Sequence, residues 1–314
     1  MDELPSILAS IGEEVEDAEE ECFLLFAQDI PSANLGFVDS RATTVDIPIH
    51  GRDYTIHQSP TLLSSSRAGG TTGAVLWKIT PLFAEWISAL HSNPLWGHAL
   101  LSASSTVVEL GCGISGLIAL ALAPSVRHYI ATDQPYVQRL LRENLATNAA
   151  PAPRNPKSKT ARTPARKRGA PAAADDNPHP NITFTSLDWE LDVAASLKDG
   201  VGLDSSDGGD GDDPGFDLLL SCDCIYNEAL VAPFVRTCAE LCGLRPGYTA
   251  TGTGTRRRPT LCIIAQQQRS PDVFEAWLRE AMTVFRVWRL SDEVLGPQLQ
   301  LGSGYLVHLL LLRG

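Results

Sequence analysis

Residues 107–117 read VVELGCGISGL. An apolar run gives way to Gly111, Gly113 and Gly116, spaced as G-x-G-x-x-G, and then to the helical stretch SGLIALALA. This is the pattern of a buried strand, a tight turn and a helix, the fingerprint by which α/β sheets bring backbone close to a nucleotide. Glu109 complicates that reading. It stands two residues before the first glycine, where a carboxylate would lie beside a bound pyrophosphate.

Strand and helix patterns alternate outward from this turn. HYIAT is a strand ending at Asp133, and YVQRLLRENLATN is an amphipathic helix. NITFTSL is a strand leading to Asp188 and Trp189, FDLLLSCD is an apolar strand, and ALVAPFVRTCAELC is a helix. TLCIIAQQ is a strand, and Ser270-Pro271-Asp272 opens a further helix with a cap residue and proline at the first position. VFRVWRL and YLVHLLLL close the chain as strands joined by a short Gly-rich link. Repeated β-α units predict a Rossmann-like α/β fold: a seven-stranded, mostly parallel sheet with helices on both faces and a C-terminal antiparallel hairpin at its edge.

Upstream, Thr43 to Ser59 alternates apolar and polar residues on both sides of His50-Gly51-Arg52-Asp53, which predicts an N-terminal β-hairpin extension. AVLWKITPLFAEWISAL has helical spacing, with Pro81 either kinking the helix or starting its main body. The expected division is an acidic segment and hairpin over 1–70, with one short helix in the first 40 residues, and a larger domain over 71–314. Stretches near 149–180, 199–215 and 247–259 are rich in Pro, Ala, Gly, Ser, Asp or basic residues and read as surface insertions. The basic part, 157–168, reads as a solvated loop, with a nuclear signal or a substrate contact as alternatives.

The 314 residues are 44% hydrophobic and carry a net charge of −12, which disfavours nucleic acid and suits a basic protein partner. Seven cysteines with no paired framework point to reduced thiols, and none completes a zinc spacing, so no metal is expected. The N-terminus has no basic-then-apolar signal, and no run of about 18 apolar residues spans a membrane. A soluble cytoplasmic monomer is expected, with the nucleus as a second compartment.

The ligand follows from charge. Glu109 would repel a pyrophosphate by a few kcal/mol at low effective dielectric. It would attract an ammonium or sulfonium, so S-adenosylmethionine fits the turn better than a dinucleotide. Asp133 suits the ribose diol, and Asp188 with Trp189 suits the adenine, all at carboxyl ends of consecutive strands. Each has a structural alternative: Glu109 pairing a basic residue, Asp133 capping the helix at Pro135, Asp188 forming a turn, Trp189 sitting in the core.

The fourth strand continues as FDLLLSCDCIYNEALV. Asp223 stands at its carboxyl end and Tyr226 three residues on. With the residues above, this resembles the seven-strand S-adenosylmethionine-dependent methyltransferases, and more narrowly methyltransferase family 16, protein-lysine methyltransferases with an Asp-x-x-Tyr motif. The resemblance extends to GAVLWKITPLFAEWI, where it implies that Trp77 lines the cofactor pocket. DCIYNEALV and the N-terminal hairpin look most like the fungal ribosomal lysine N-methyltransferase 5 group, which modifies a large-subunit ribosomal protein. The resemblance implies Asp223 and Tyr226 as catalytic residues that orient a lysine amine. Trp77, Glu109, Gly111, Gly113, Gly116, Asp133, Asp188, Trp189 and Ser221 would be the cofactor-binding set. Cys222 and Cys224 read as core. Competing readings are a nicotinamide-dependent oxidoreductase, a nucleic-acid methyltransferase on the same fold, and a binding module without catalysis.

Overall fold

The computed structural model describes residues 3–30, 35–65, 71–149, 179–200, 215–249 and 258–314. Most of the three expected insertions, including the basic stretch 157–168, lies outside the described residues. The seven expected strands are β4 (Thr106–Leu110), β5 (His128–Asp133), β6 (Ile182–Ser186), β7 (Leu218–Cys222), β8 (Leu261–Gln267), β9 (Phe285–Leu290) and β10 (Tyr305–Leu312), numbered after three N-terminal strands. Their order across the sheet is β9-β10-β8-β7-β4-β5-β6, parallel from β8 to β6 and antiparallel among β8, β10 and β9.

The expected seven strands become eight. Residues Gly12–Glu14 form β1, which pairs antiparallel with β9 and takes the sheet edge that the C-terminal hairpin was expected to occupy. Helix α1 (Leu4–Ile11) and helix α2 (Ala18–Phe26) flank it, where one short helix was expected. The acidity of the segment hid its apolar side: Leu8, Ile11, Cys22 and Leu25 are buried. Glu21 is buried too, between Arg289 on β9 (2.5 Å) and His308 on β10 (3.5 Å). Burial works to raise its pKa, but these two partners outweigh it and hold it below the ordinary value. The link between β9 and β10 also departs from the short Gly-rich connection expected, because it carries a helical turn at Asp292–Leu295.

The hairpin is β2 (Thr44–Ile49) and β3 (Arg52–His57), separate from the main sheet. His50 and Gly51 both have positive φ (50° and 76°), as a two-residue type I′ turn requires. Residues 75–77, expected to be helical, lie outside the helix: Val75 is extended and Trp77 bridges to Phe37, and Lys78 turns into the helix that follows. This stretch bonds to 36–38 through Val38 N–H to Leu76 O (2.9 Å) and Lys78 N–H to Gly36 O (2.9 Å). Helix α3 (Ile79–Ile87) starts just before Pro81, so the proline belongs to the helix opening and makes no kink.

The helices that shape the site are α4 (Leu117–Leu122), α5 (Gln138–Thr147), α6 (Val231–Cys242) and α7 (Pro271–Val284). Two core clusters cover the two faces of the sheet, Val107 and Glu109's neighbour Tyr129 facing one and Val108 and Leu110 the other. At α5, Asn144 accepts from His57 N (2.7 Å) and donates to His57 O (2.9 Å) and Ile114 O (2.8 Å). One turn on, Asn148 accepts from Thr55 N (2.9 Å) and donates to Thr55 O (2.8 Å). The two amides thus occupy the place of a third strand against β3 and tie the hairpin to the glycine turn. Asn144→Ala should destabilise the protein by about 3 kcal/mol, because buried backbone groups lose their partner. Equilibrium urea denaturation checks this, with exposed Glu143→Ala expected to stay within about 0.5 kcal/mol of wild type.

Candidate active site

The site lies where β4, β5, β6 and β7 end. Gly111, Gly113 and Gly116 have φ of +73°, +61° and +56°, which side-chain-bearing residues rarely adopt. Each also has its own steric constraint. A Cβ at Gly111 would lie 2.3 Å from Cys224 Sγ, and one at Gly116 would lie 2.6 Å from Leu141 Cδ1 on α5. At Gly113 the near neighbour is Gly73 O at 3.3 Å. The turn is anchored by Gly111 N–H and Cys112 N–H on Thr132 O (2.9 and 3.0 Å) and by Ile114 N–H on Gly73 O (2.9 Å).

Asp133 reaches back to this turn, its Oδ2 accepting from Gly113 N (2.8 Å). Its Oδ1 accepts from Gln134 N (2.6 Å). Burial pushes its pKa up to about 6 against the lowering effect of these bonds. Glu109 is 2% exposed, and its partner is the hydroxyl of Tyr129 (2.7 Å). The basic partner weighed for it in the sequence is therefore not the one it has. Burial raises it to about 7, and Asp133 adds to the rise. The turn is thus lined by two carboxylates that favour a positive ligand, since a cation would relieve the desolvation of both.

Asp188 accepts from Gln134 Nε2 (3.1 Å) and from Glu190 N (2.9 Å), so it forms a local turn while facing β5. Trp189 packs edge-on against Phe234 of α6 at 5.0 Å, and its ring lies 3.6 Å from a Cβ at Gly111. Among the described residues its buried indole Nε1 has no hydrogen-bond partner. Ser221 is fully buried and its hydroxyl donates to Leu110 O (3.0 Å), which braces β7 against β4. Cys222 is core. Cys224 packs its thiol on Leu110 O (3.4 Å) behind the turn, and burial raises both thiols.

On the other side, Asp223 sits at φ +63°, a strained position for a residue other than glycine. Its carboxylate accepts from Gln267 N (3.2 Å) and pairs with both terminal nitrogens of Arg269. Burial pushes it up to about 6 despite the arginine. Tyr226 is 40% exposed, and its hydroxyl is 3.4 Å from Thr72 Oγ1. Trp77 donates from Nε1 to Thr72 O (3.1 Å) and stacks on Phe37 at 4.2 Å. Thr72 and Gly73 therefore connect the Asp-x-x-Tyr turn to the glycine turn.

Comparison with known proteins fits this arrangement. The family model described as lysine methyltransferase matches residues 56–160. The Ribosomal lysine N-methyltransferase 5 of Zygosaccharomyces rouxii is 31% identical over 248 residues, covering 75% of this chain and 72% of that protein. The chain belongs to the lysine methyltransferase family. The Ribosomal lysine N-methyltransferase 5 of Candida glabrata is 28% identical over 259 residues, 74% of this chain and 70% of that protein. A Schizosaccharomyces pombe protein named Diaminohydroxyphosphoribosylamino-pyrimidine deaminase is 27% identical over 277 residues. The match covers 87% of this chain but 53% of that protein, so the chain spans about half its length.

Arg269, Gln134, Thr72 and Gly73 also border the site and carry no motif of their own in the sequence. Arg269 follows β8 and Thr72 opens a 3-10 turn (Thr72–Ala74) ahead of α3, so neither lies in a glycine or acidic motif. Only the fold brings them to Asp223 and Tyr226. Among the described residues no group of three His, Cys, Asp or Glu side chains could hold a metal, and no helix is long and apolar enough to cross a membrane.

Gly111→Ala should lower stability by about 2–3 kcal/mol, from left-handed backbone and the clash with Cys224. In a double-mutant cycle with Cys224→Ala, thermal and urea unfolding should return a coupling of about 1 kcal/mol in favour of the double variant. Strict additivity would mean that the two positions do not touch.

Proposed function

We propose that this chain transfers a methyl group from S-adenosylmethionine to the ε-amine of a lysine in a large-subunit ribosomal protein. The observation that carries the reading is the convergence of the glycine turn with Asp133 and of the Asp223–Tyr226 turn on the shared segment Thr72–Gly73. One turn suits an adenosyl ligand, and the other suits the amine.

The residues present fit the cofactor. Gly111, Gly113 and Gly116 give the left-handed turn, Glu109 and Asp133 lack a full countercharge, and among the described residues Trp189 Nε1 is a buried donor without a partner. Asp133 would take the ribose hydroxyls, Asp188 and Trp189 the base, and Glu109 the positive end. Bound S-adenosylmethionine supplies a methyl group on a positively charged sulfur, open to in-line attack by nitrogen. Tyr226, a phenol protonated at neutral pH and pushed further up by desolvation, can accept from or donate to the incoming amine. Asp223 orients that turn. The chain need not supply a nucleophile of its own; positioning and electrostatics provide the rate.

The ribosomal target is supported by the names of the relatives. A basic protein segment is supported by a cleft of about 710 Å³ lined by Asp17, Glu19, Glu20, Phe23, Phe26 and Glu275. Phe26 also borders the narrow cavity beside Tyr226 and Arg269. A ribosomal substrate would be met in the cytoplasm or, before subunit export, in the nucleus.

Labelled cofactor and lysate from a strain lacking the matching enzyme test the reading, with mass spectrometry locating the methylated lysine. Asp133→Asn should weaken cofactor affinity tenfold or more by calorimetry. Asp223→Ala and Tyr226→Phe should cut transfer at least tenfold while leaving that affinity within about threefold. Full transfer by Asp223→Ala would remove it from catalysis.

Affinity should also follow pH. Carboxylates at about 6 and about 7 are charged above those values and neutral below them. The positively charged cofactor should therefore bind more weakly at pH 5 than at pH 8 by roughly tenfold or more, since pH 5 lies about one unit below Asp133 and about two below Glu109. S-adenosylhomocysteine, without the sulfonium charge, should change less. Equal pH dependence for the two ligands would contradict the role of Glu109 at the positive end, since Asp133 on the ribose acts on both alike.

A further inference from the structure

We infer that Arg269 is a positioning residue of the methyl-transfer site, neutralising Asp223 so that the Asp-x-x-Tyr turn does not hold an incoming lysine in its unreactive ammonium form. This rests on the lysine-methylation reading above. The geometry is a chain of contacts from Asp223 through Arg269 to Trp77. The Asp223 carboxylate meets Arg269 through both terminal nitrogens, and the guanidinium carbon lies 4.4 Å from the centre of the Trp77 ring. Phe37 backs the indole at 4.2 Å, and Thr72 O fixes its Nε1. Gln267, next but one to Arg269, holds Asp223 through its backbone N–H and receives Gly36 N–H on its side-chain oxygen (2.7 Å). Arg269 is therefore held at its nitrogen edge by the Asp223 carboxylate and lies over the Trp77 ring, on a strand end fixed from two sides.

The pair is placed to act on a substrate. The Asp223 side chain is 3% exposed, whereas that of Arg269 is 22% exposed. A narrow cavity is lined by Ile225, Tyr226, Gln267 and Arg269, so the guanidinium borders the space next to the tyrosine. The other titratable groups that bear on Asp223 are Tyr226 of its own turn, Tyr305 of β10, and the thiols of Cys222 and Cys224. Asp133 and Glu109 lie beyond Cys224 around the glycine turn. All of these are neutral or acidic, which leaves Arg269 as the cation recorded at Asp223 among the described residues.

The chemistry requires that cation. The lone pair of a neutral lysine nitrogen forms a bond to the methyl carbon, and the carbon–sulfur bond breaks with its electrons kept by sulfur. The product ammonium then releases a proton to solvent. An ammonium has no lone pair, so attack waits on deprotonation from an ordinary pKa near 10.4. A bare carboxylate at that point would favour the charged amine and raise this pKa further. A carboxylate already matched by a guanidinium gives almost no such bias, and still orients Tyr226. Arginine suits the task because it keeps its charge at every relevant pH and meets a carboxylate with two nitrogens.

The test measures kcat and KM from pH 6 to 10 with isolated yeast large ribosomal subunits and labelled S-adenosylmethionine. The proteins are wild type, Arg269→Gln, Arg269→Lys, Asp223→Asn and the Asp223→Asn/Arg269→Gln double variant. Arg269→Gln should move the midpoint of the kcat/KM profile up by one pH unit or more and lower kcat at pH 7.5 about tenfold. KM for the subunits should be unchanged or lower. Arg269→Lys should recover most of the shift. In the Asp223→Asn background, Arg269→Gln should move the midpoint no further. Thermal melting and calorimetric affinity for S-adenosylmethionine give readouts free of turnover, and that affinity should stay within about threefold in Arg269→Gln. A melting temperature that falls while the pH midpoint stays fixed would reduce Arg269 to a strut and overturn the inference. A rise in kcat/KM on losing the arginine would overturn it too, since the side chain would then be an obstacle. A wild-type protein that methylates nothing would sink the activity itself, whereas an active wild type with an unmoved profile sinks only the role of Arg269.

Discussion

The glycine turn can form in only one way. Gly111, Gly113 and Gly116 all take left-handed backbone, and a side chain on Gly111 or Gly116 would strike Cys224 or Leu141. The turn is therefore fixed by what packs behind it: the thiol of the Asp-x-x-Tyr segment at one end and helix α5 at the other. Asn144 adds a third constraint by bonding Ile114 O and β3 together. The site, the hairpin and the helix form one cooperative unit, and the glycines are its most restricted positions.

The site is an excess of buried acid only partly compensated from within. Glu109, Asp133 and Asp223 are all pushed above their ordinary values by burial. Arg269 answers Asp223, and a tyrosine hydroxyl answers Glu109. The remaining imbalance faces the turn where the proposed ligand carries its positive charge. Such displaced pKa values in one cleft are what a binding or reacting centre leaves in an unliganded fold.

The sheet and the chemistry-bearing acids were legible in the sequence because their signals are local. A strand ending in a glycine turn, an Asp at the next strand end, and Asp-x-x-Tyr after the fourth each occupy a few consecutive residues. The charge argument from Glu109 pointed to the right kind of ligand, although its carboxylate faces Tyr129 and no basic side chain. Two features were hidden. The acidic N-terminal segment buries Leu8, Ile11 and Leu25 at spacings too sparse to mark a strand between two helices. Arg269 and Thr72 meet the Asp-x-x-Tyr turn only through the fold: the sheet order sets β8 beside β7, and the 3-10 turn at Thr72–Ala74 reaches Tyr226. Helical spacing over 75–78 misled for the same reason: the backbone groups there found partners at 36–38.

The short edge strand has a consequence for how the molecule behaves in a crowded cell. β1 offers three residues, Gly12, Glu13 and Glu14, and the two glutamates pair with Arg289 and Arg286 on the strand beside it. A foreign strand approaching this flank meets carboxylates and a ladder too brief to extend. The sheet is in this way protected against edge-to-edge aggregation at the side nearest its C-terminus.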